Sequence, residues 1–373
     1  GGTVTLSGTN LNTGGNSIGV KFDNGSGITA ASYNVTGVST STQTSSYGVG
    51  MFGTVKFKST GNSLINGTSL SQSTALTYGT MIYDGANVSF DAGNTGGKLQ
   101  VKGSNAAWET GFRIGGTAAA TVTTDGDVTL GALEDHSQFS FSAGTVTANS
   151  GKLTLLGQIN GGGTALSTYD GASITANNGV SIIAKGVAIG GAKAVGLGQN
   201  TPVAIKALQG TAAVAGDISI TGISTSGSAI EVSSGSSLEA AKVTLNGTAT
   251  SGAGVNGTGK ITATTGNVQI DGLTTSGGTG GHVMTNNNIT ASNGDIVING
   301  TTATTDTPGV YINSGNALSA KNIYVTGTST GLGGTNQNAK GIRSWGILNA
   351  TDKITLTGTS TNVTGIGIEG GSV

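Results

Sequence analysis

The side chains that could do chemistry are few and scattered. The 373 residues include two His, His136 and His282, two Arg, Arg113 and Arg343, and no Cys. Without Cys there is no disulfide framework and no thiol chemistry. The two His lie far apart, and nothing has the ligand spacing of a zinc site. Asp125-Gly126-Asp127 is a single carboxylate pair without the Gly-rich nonapeptide repetition of calcium-binding rolls, so it reads as a corner. Gly161-Gly162-Gly163 lacks the following helix that a phosphate cradle requires, and reads as a turn. Glu134-Asp135-His136 is the most charged stretch and reads as a solvated loop. An enzyme needs a cluster of titratable or nucleophilic groups. None is evident, so the expectation is a protein without enzymatic activity, metal or cofactor. A polysaccharide-acting enzyme is kept only as a minor alternative.

Contact chemistry is better represented. Trp108-Glu109 stands close to Phe112-Arg113, and a second group is Arg343-Ser344-Trp345; together they hold both Trp and both Arg of the chain. Trp beside Arg is the composition of a binding hot spot, and an aromatic face suits a sugar ring. Trp108, Glu109, Arg113, Arg343 and Trp345 are therefore the candidate ligand-binding residues, against the plainer reading that each Trp fills a wide corner. A Thr ladder, with Thr248/Thr250, Thr328/Thr330 and Thr359/Thr361, has the look of an ice-binding face, but Ile223 and Leu273 interrupt it. Asn66, Asn246, Asn256 and Asn299 head Asn-x-Thr sequons and could carry surface glycans.

These groups must be positioned by short strands. Charged residues are 9%, where about 25% is usual, and Gly numbers 69. No Gly-X-Y period exists, which excludes collagen. The β-branched residues cluster in alternating runs, which is a strand signal. From 217 onward the runs recur as Asp217-Ile218-Ser219-Ile220-Thr221-Gly222, Val243-Thr244-Leu245-Asn246-Gly247, Asn267-Val268-Gln269-Ile270-Asp271-Gly272, Asp295-Ile296-Val297-Ile298-Asn299-Gly300, Asn322-Ile323-Tyr324-Val325-Thr326-Gly327 and Lys353-Ile354-Thr355-Leu356-Thr357-Gly358. Starts are roughly 24 to 31 residues apart, the period of a solenoid. Two more short strands follow in each unit, as in Gly309-Val310-Tyr311-Ile312 and Ala317-Leu318-Ser319-Ala320. Three strands joined by Gly, Ser and Asn corners describe one triangular turn, and the Gly closing each run leads into a corner.

The fold expected is all-β: a single right-handed parallel β-helix of about 13 rungs, the hand following from the handedness of parallel crossovers. One continuous segment over 1–373 is expected, less regular with longer loops over 1–216 and regular over 217–373. Units at 33–96 and 180–216 depart most from the pattern. Net charge is −1 with dispersed Lys and Arg, which argues against a nucleic-acid partner. No apolar run is long enough to span a membrane. Strand patterns reach both ends of the sequence, so it reads as a piece of a longer protein with its targeting signals elsewhere.

Runs of the form Lys-Ile-Thr-Leu-Thr-Gly-Thr-Ser-Thr, then Gly-Ile-Gly-Ile, with Leu-Ser-Ala-Lys, resemble the central repeats of filamentous-haemagglutinin-like exoproteins. These are large two-partner-secreted proteins of Gram-negative bacteria, including the high-molecular-weight adhesins. The resemblance covers the whole chain and is clearest over 217–373. It implies a secreted or surface-held β-helical fibre attaching cells to host surfaces or glycans. It further implies export of the parent protein by an outer-membrane transporter partner, and Asn-linked sugar on some sequons. The family offers no catalytic residues to carry over. Two alternatives share the architecture: a non-binding stalk, and a contact-dependent inhibition fibre.

Overall fold

The computed structural model describes residues 2–12, 17–41, 45–71, 76–93, 96–106, 110–187, 192–207, 216–276, 283–331, 339–361, 364–369 and 372. All regular structure among them is strand, with no helix, and the strands stack in parallel as a β-solenoid. It has about 11 turns, close to the 13 expected. By internal contacts the chain divides into two compact units, residues 1–160 with 165–183, and residues 161–164 with 184–373.

The first unit shows three columns of strands. Face A runs through Thr3–Asn10, Ser32–Ser39, Ser63–Ser69, Lys98–Asn105, Asp127–Gly131 and Leu153–Ile159. Face B begins with Ile18–Phe22, Ser46–Met51, Thr77–Ile82 and Thr110–Ile114, and face C with Gly27–Ala30, Thr54–Ser59, Asn87–Asp91 and Ala120–Asp125. Segment 33–96, expected to be irregular, keeps the register: Val35, Ile65, Val101 and Leu130 stand above one another on face A. Side chains alternate along each strand, so every second residue enters the interior. Phe22, Met51, Ile82 and Ile114 form one inward column, and Ile28, Phe57 and Phe90 another. The interior rings touch: Phe57 lies 4.9 Å from Phe22, 5.8 Å from Tyr33 and 5.4 Å from Phe90.

In the second unit, face A carries Ile220, Leu245, Ile270, Ile298, Val325 and Leu356 in one column. Its last three turns fuse faces C and A into long bent strands, Ile289–Thr302, Ala317–Ser329 and Ile347–Ser360. The short strands Val283–Thr285, Val310–Ile312, Ile342–Ser344 and Ile366–Ile368 complete face B.

The Gly that closes each run does not lead into a corner. The strand continues through it, and Gly222, Gly247, Gly272, Gly300, Gly327 and Gly358 pair in register. The reason is a close approach of two backbones. A Cβ on Gly300 would overlap the Gly309 carbonyl oxygen and lie 2.7 Å from its carbon. The first unit repeats the arrangement, with Gly8, Gly37, Gly67 and Gly103 facing Gly19, Gly48, Gly79 and Gly111.

Two residues beyond this Gly, a polar side chain, buried at Ser329 and Asn105 and half-buried at Ser360, ties face A to the segment leading into face B. Ser329 Oγ donates to Thr307 O at 3.1 Å, Ser360 Oγ to Ala339 O at 2.6 Å, and Asn105 Nδ2 to Thr77 O at 2.8 Å. Ser329→Ala leaves a buried carbonyl without that donor, so unfolding free energy should fall by about 1 kcal/mol in a denaturant titration. Corners are satisfied similarly: Asn24, Asn62, Asn267 and Asn288 each accept the backbone N–H of the next turn through Oδ1.

Candidate binding site on the first unit

Outward positions of the solenoid are mostly Thr, Ser, Asn and Lys. Face B departs from this in both units: its outward column includes Met284, Tyr311 and Arg343 in the second, and the first unit gathers the larger aromatic group. In the first unit the outward column reads Lys21, Gly50, Met81 and Arg113. Here Tyr47, Tyr78 and Met81 form a hydrophobic cluster of their own, with Ile18 and Phe52 packed against it. The Phe52 ring folds back over Gly50, where a Cβ would lie 2.7 Å from a ring carbon. Tyr47 and Tyr78 occupy equivalent positions on successive turns, and their rings stack at 5.8 Å, 2° from parallel. Phe52 meets Tyr83 at 4.8 Å. Two cations flank the group: Lys21 Nζ lies 5.2 Å from the Phe52 ring centre, and the Arg113 guanidinium 5.2 Å from that of Tyr78.

Beside this cluster opens a cleft of about 240 Å³. Arg113 and Asp84 supply its charge, Leu76 and Tyr83 its most exposed apolar surface, 55% and 40% accessible. Arg113 is held by neutral acceptors: Nε donates to Gly115 O at 2.9 Å, Nη1 to the Tyr78 hydroxyl at 2.8 Å and Nη2 to Ser142 Oγ at 3.2 Å. Asp84 Oδ2 accepts from Thr117 N at 3.0 Å and Thr117 Oγ1 at 2.8 Å. Burial pushes the Tyr47 phenol above its ordinary value, with a hydrogen bond to Ser45 acting the other way. The phenol therefore stays a neutral donor across the physiological range. Rigid aromatic walls with a fixed donor and a fixed acceptor can hold a small polyhydroxylated ring by stacking and hydrogen bonds.

Of the five residues expected to bind a ligand, Arg113 lies in this cleft. Trp108 and Glu109 lie outside the described residues. Arg343 and Trp345 are on the second unit, where Glu369 engages them. Arg343 Nε donates to Glu369 Oε2 at 3.0 Å, Trp345 Nε1 donates to the same oxygen at 3.1 Å, and Lys340 Nζ pairs with Oε1. The guanidinium also lies 5.3 Å from the Trp345 ring and 5.8 Å from Tyr311. Glu369→Gln takes the counter-charge from two cations, one of them buried. It should cost about 1–3 kcal/mol and speed amide exchange at Glu369, whose N–H is bonded to Ser344 O.

The charged loop at 134–136 is tied to its neighbours: Glu134 pairs with Lys102 at 2.6 Å, and Asp135 accepts from Gln158 at 2.8 Å. His282 lies outside the described residues. Register also sets Asp91 beside Asp125 on adjacent turns of face C. Their oxygens are in use: Asp91 pairs with Lys58 at 3.2 Å and accepts from Gly93 N, and Asp125 accepts from Asn149 and Ser150. Among the described residues no group of His, Cys, Asp or Glu could hold a metal ion, and no helix is long and apolar enough to cross a membrane. The sequon residues Asn66, Asn256 and Asn299 are half-buried and Asn246 is exposed; Asn299 Nδ2 donates to Asp271 at 2.8 Å.

Tyr47, Phe52, Tyr78 and Tyr83 were not singled out by the sequence, although a signal exists. Tyr47-Gly48 with Phe52, and Tyr78-Gly79 with Tyr83, repeat one spacing a turn apart. Compared with protein-family profiles, curated proteins and solved structures, the chain matches none.

Proposed function

We propose that this chain is a segment of an extracellular bacterial adhesive fibre, and that the cleft on face B of the first unit holds a sugar of a host or surface glycan. The observation that carries the reading is the aromatic cluster of Tyr47, Phe52, Tyr78 and Tyr83 beside a cleft on the outer face of the first unit. Keeping Phe, Tyr and Met on an outer face has no role in filling the interior. The resemblance to filamentous-haemagglutinin-like exoproteins supports the same reading. On that reading the parent protein is secreted or held at the surface of a Gram-negative cell, after export through an outer-membrane transporter.

The test is binding of the purified chain to a glycan array and to epithelial cells, with three variants alongside. Tyr83→Ala and Arg113→Met should each weaken binding by about tenfold or more, while Trp345→Ala leaves it intact. Loss of binding in Trp345→Ala alone would move the site to the second unit. Absence of saturable binding in every form would favour a spacer. One observation supports that second reading for residues 217–373: the outward column Thr221, Asn246, Asp271, Asn299, Thr326 and Thr357 is polar throughout.

A further inference from the structure

The backbone at Leu76 is left-handed, with φ of +53°. A side chain with a Cβ is strained there, and a branched apolar one has no local hydrogen bond to offset the strain. Gly or Asn would serve the turn better. The equivalent position one turn earlier confirms that the fold does not ask for Leu: Ser45, which precedes the partner strand in the same register, has φ of +63°. Leu76 is also more than half exposed. It is thus unfavourable in conformation and in solvation, yet it stands in the lining of the cleft, together with Met81 and Tyr83. That lining is therefore amphipathic, with Arg113, Asp84 and Thr117 as its polar groups.

We propose that Leu76 is a specificity residue, and that the sugar held in the cleft carries an apolar substituent, a methyl group of an N-acetyl or 6-deoxy hexose, which Leu76 covers. The inference rests on the sugar-binding reading above. A methyl placed between Leu76 and the Met81 and Tyr83 side chains leaves water, while ring hydroxyls remain for Arg113 and Asp84. A bare hexose gains only the polar contacts. One methyl in an apolar site is worth about tenfold in discrimination.

The experiment measures affinities of the whole chain for N-acetylglucosamine, 6-deoxyglucose and glucose, in wild type, Leu76→Gly and Leu76→Asn. Wild type should prefer the two methyl-bearing sugars by about tenfold. Both variants should lose that preference while their melting temperature stays level or rises, because the strain is relieved. Affinity for the methyl-bearing sugars then falls without a loss of stability, which a merely structural role for Leu76 would not produce. Equal affinity for the three sugars, or a preference that survives in Leu76→Gly, overturns this inference and leaves the sugar site standing. No binding of any sugar overturns both.

Discussion

Gly300→Ala should lower the unfolding free energy by about 3 kcal/mol or more, the range of severe overpacking. The position has an ordinary backbone conformation, so propensity alone would make Ala slightly favourable. What opposes it is space: the new Cβ meets the Gly309 carbonyl and lies 2.8 Å from Val310 Cγ2. A backbone carbonyl paired into its own column cannot rotate away as a side chain would. Gly300 is also bonded in register to Gly272 and Gly327, so any shift spreads to both neighbouring turns. Gly315→Ala is the control. Its φ is +77° and nothing lies within 4 Å of the added atom, so only the conformational cost of about 1–2 kcal/mol applies. Denaturant titrations of both variants check the order. Equal losses would mean that the two faces separate more easily than the structure shows.

Phe57→Ala should cost about 3–5 kcal/mol, the usual range for emptying a buried aromatic site. Phe57 is 1% exposed and touches three other rings, one from each face of the solenoid. Parallel ladders above and below hold the backbone, so the cavity cannot close by collapse. Phe57→Leu keeps most of the volume and should lose less, about 1–2 kcal/mol. The two melting curves, compared at constant denaturant slope, separate a cavity effect from a change in the unfolded state.

Much of this architecture is legible in sequence because burial follows a period of two. Ile218, Ile220, Val243 and Leu245 alternate with polar residues and all stand in the interior. The role of these glycines is hidden from the sequence for a physical reason. After an alternating run, Gly resembles a turn, and the demand for Gly300 comes from a second backbone that only the folded turn brings near. The roles of Ser329 and Ser360 are hidden for the same reason, since the carbonyls they serve lie across the turn.

The candidate site was legible in part. Arg113 was singled out for its neighbour Trp108, yet its described partners are Tyr78, Gly115 and Ser142. Tyr78 lies 35 residues away, about one turn. Arg343 with Trp345 was visible as a pair, but Glu369, which engages both, comes from the next turn. Writing the sequence in rows of one turn would have aligned Tyr47 with Tyr78 and exposed the outer aromatic column.

Methionine methyl groups report whether sugar is held in the cleft on the first unit. The chain has three Met. Met81 lines the cleft, Met51 is sealed in the interior, and Met284 is on the second unit. Methyl-labelled protein is titrated with N-acetylglucosamine and observed by NMR. A saturable shift of the Met81 resonance, with Met51 and Met284 still, is the predicted result. A saturable shift at Met284 with Met81 unmoved would contradict the account and place the sugar on the other unit.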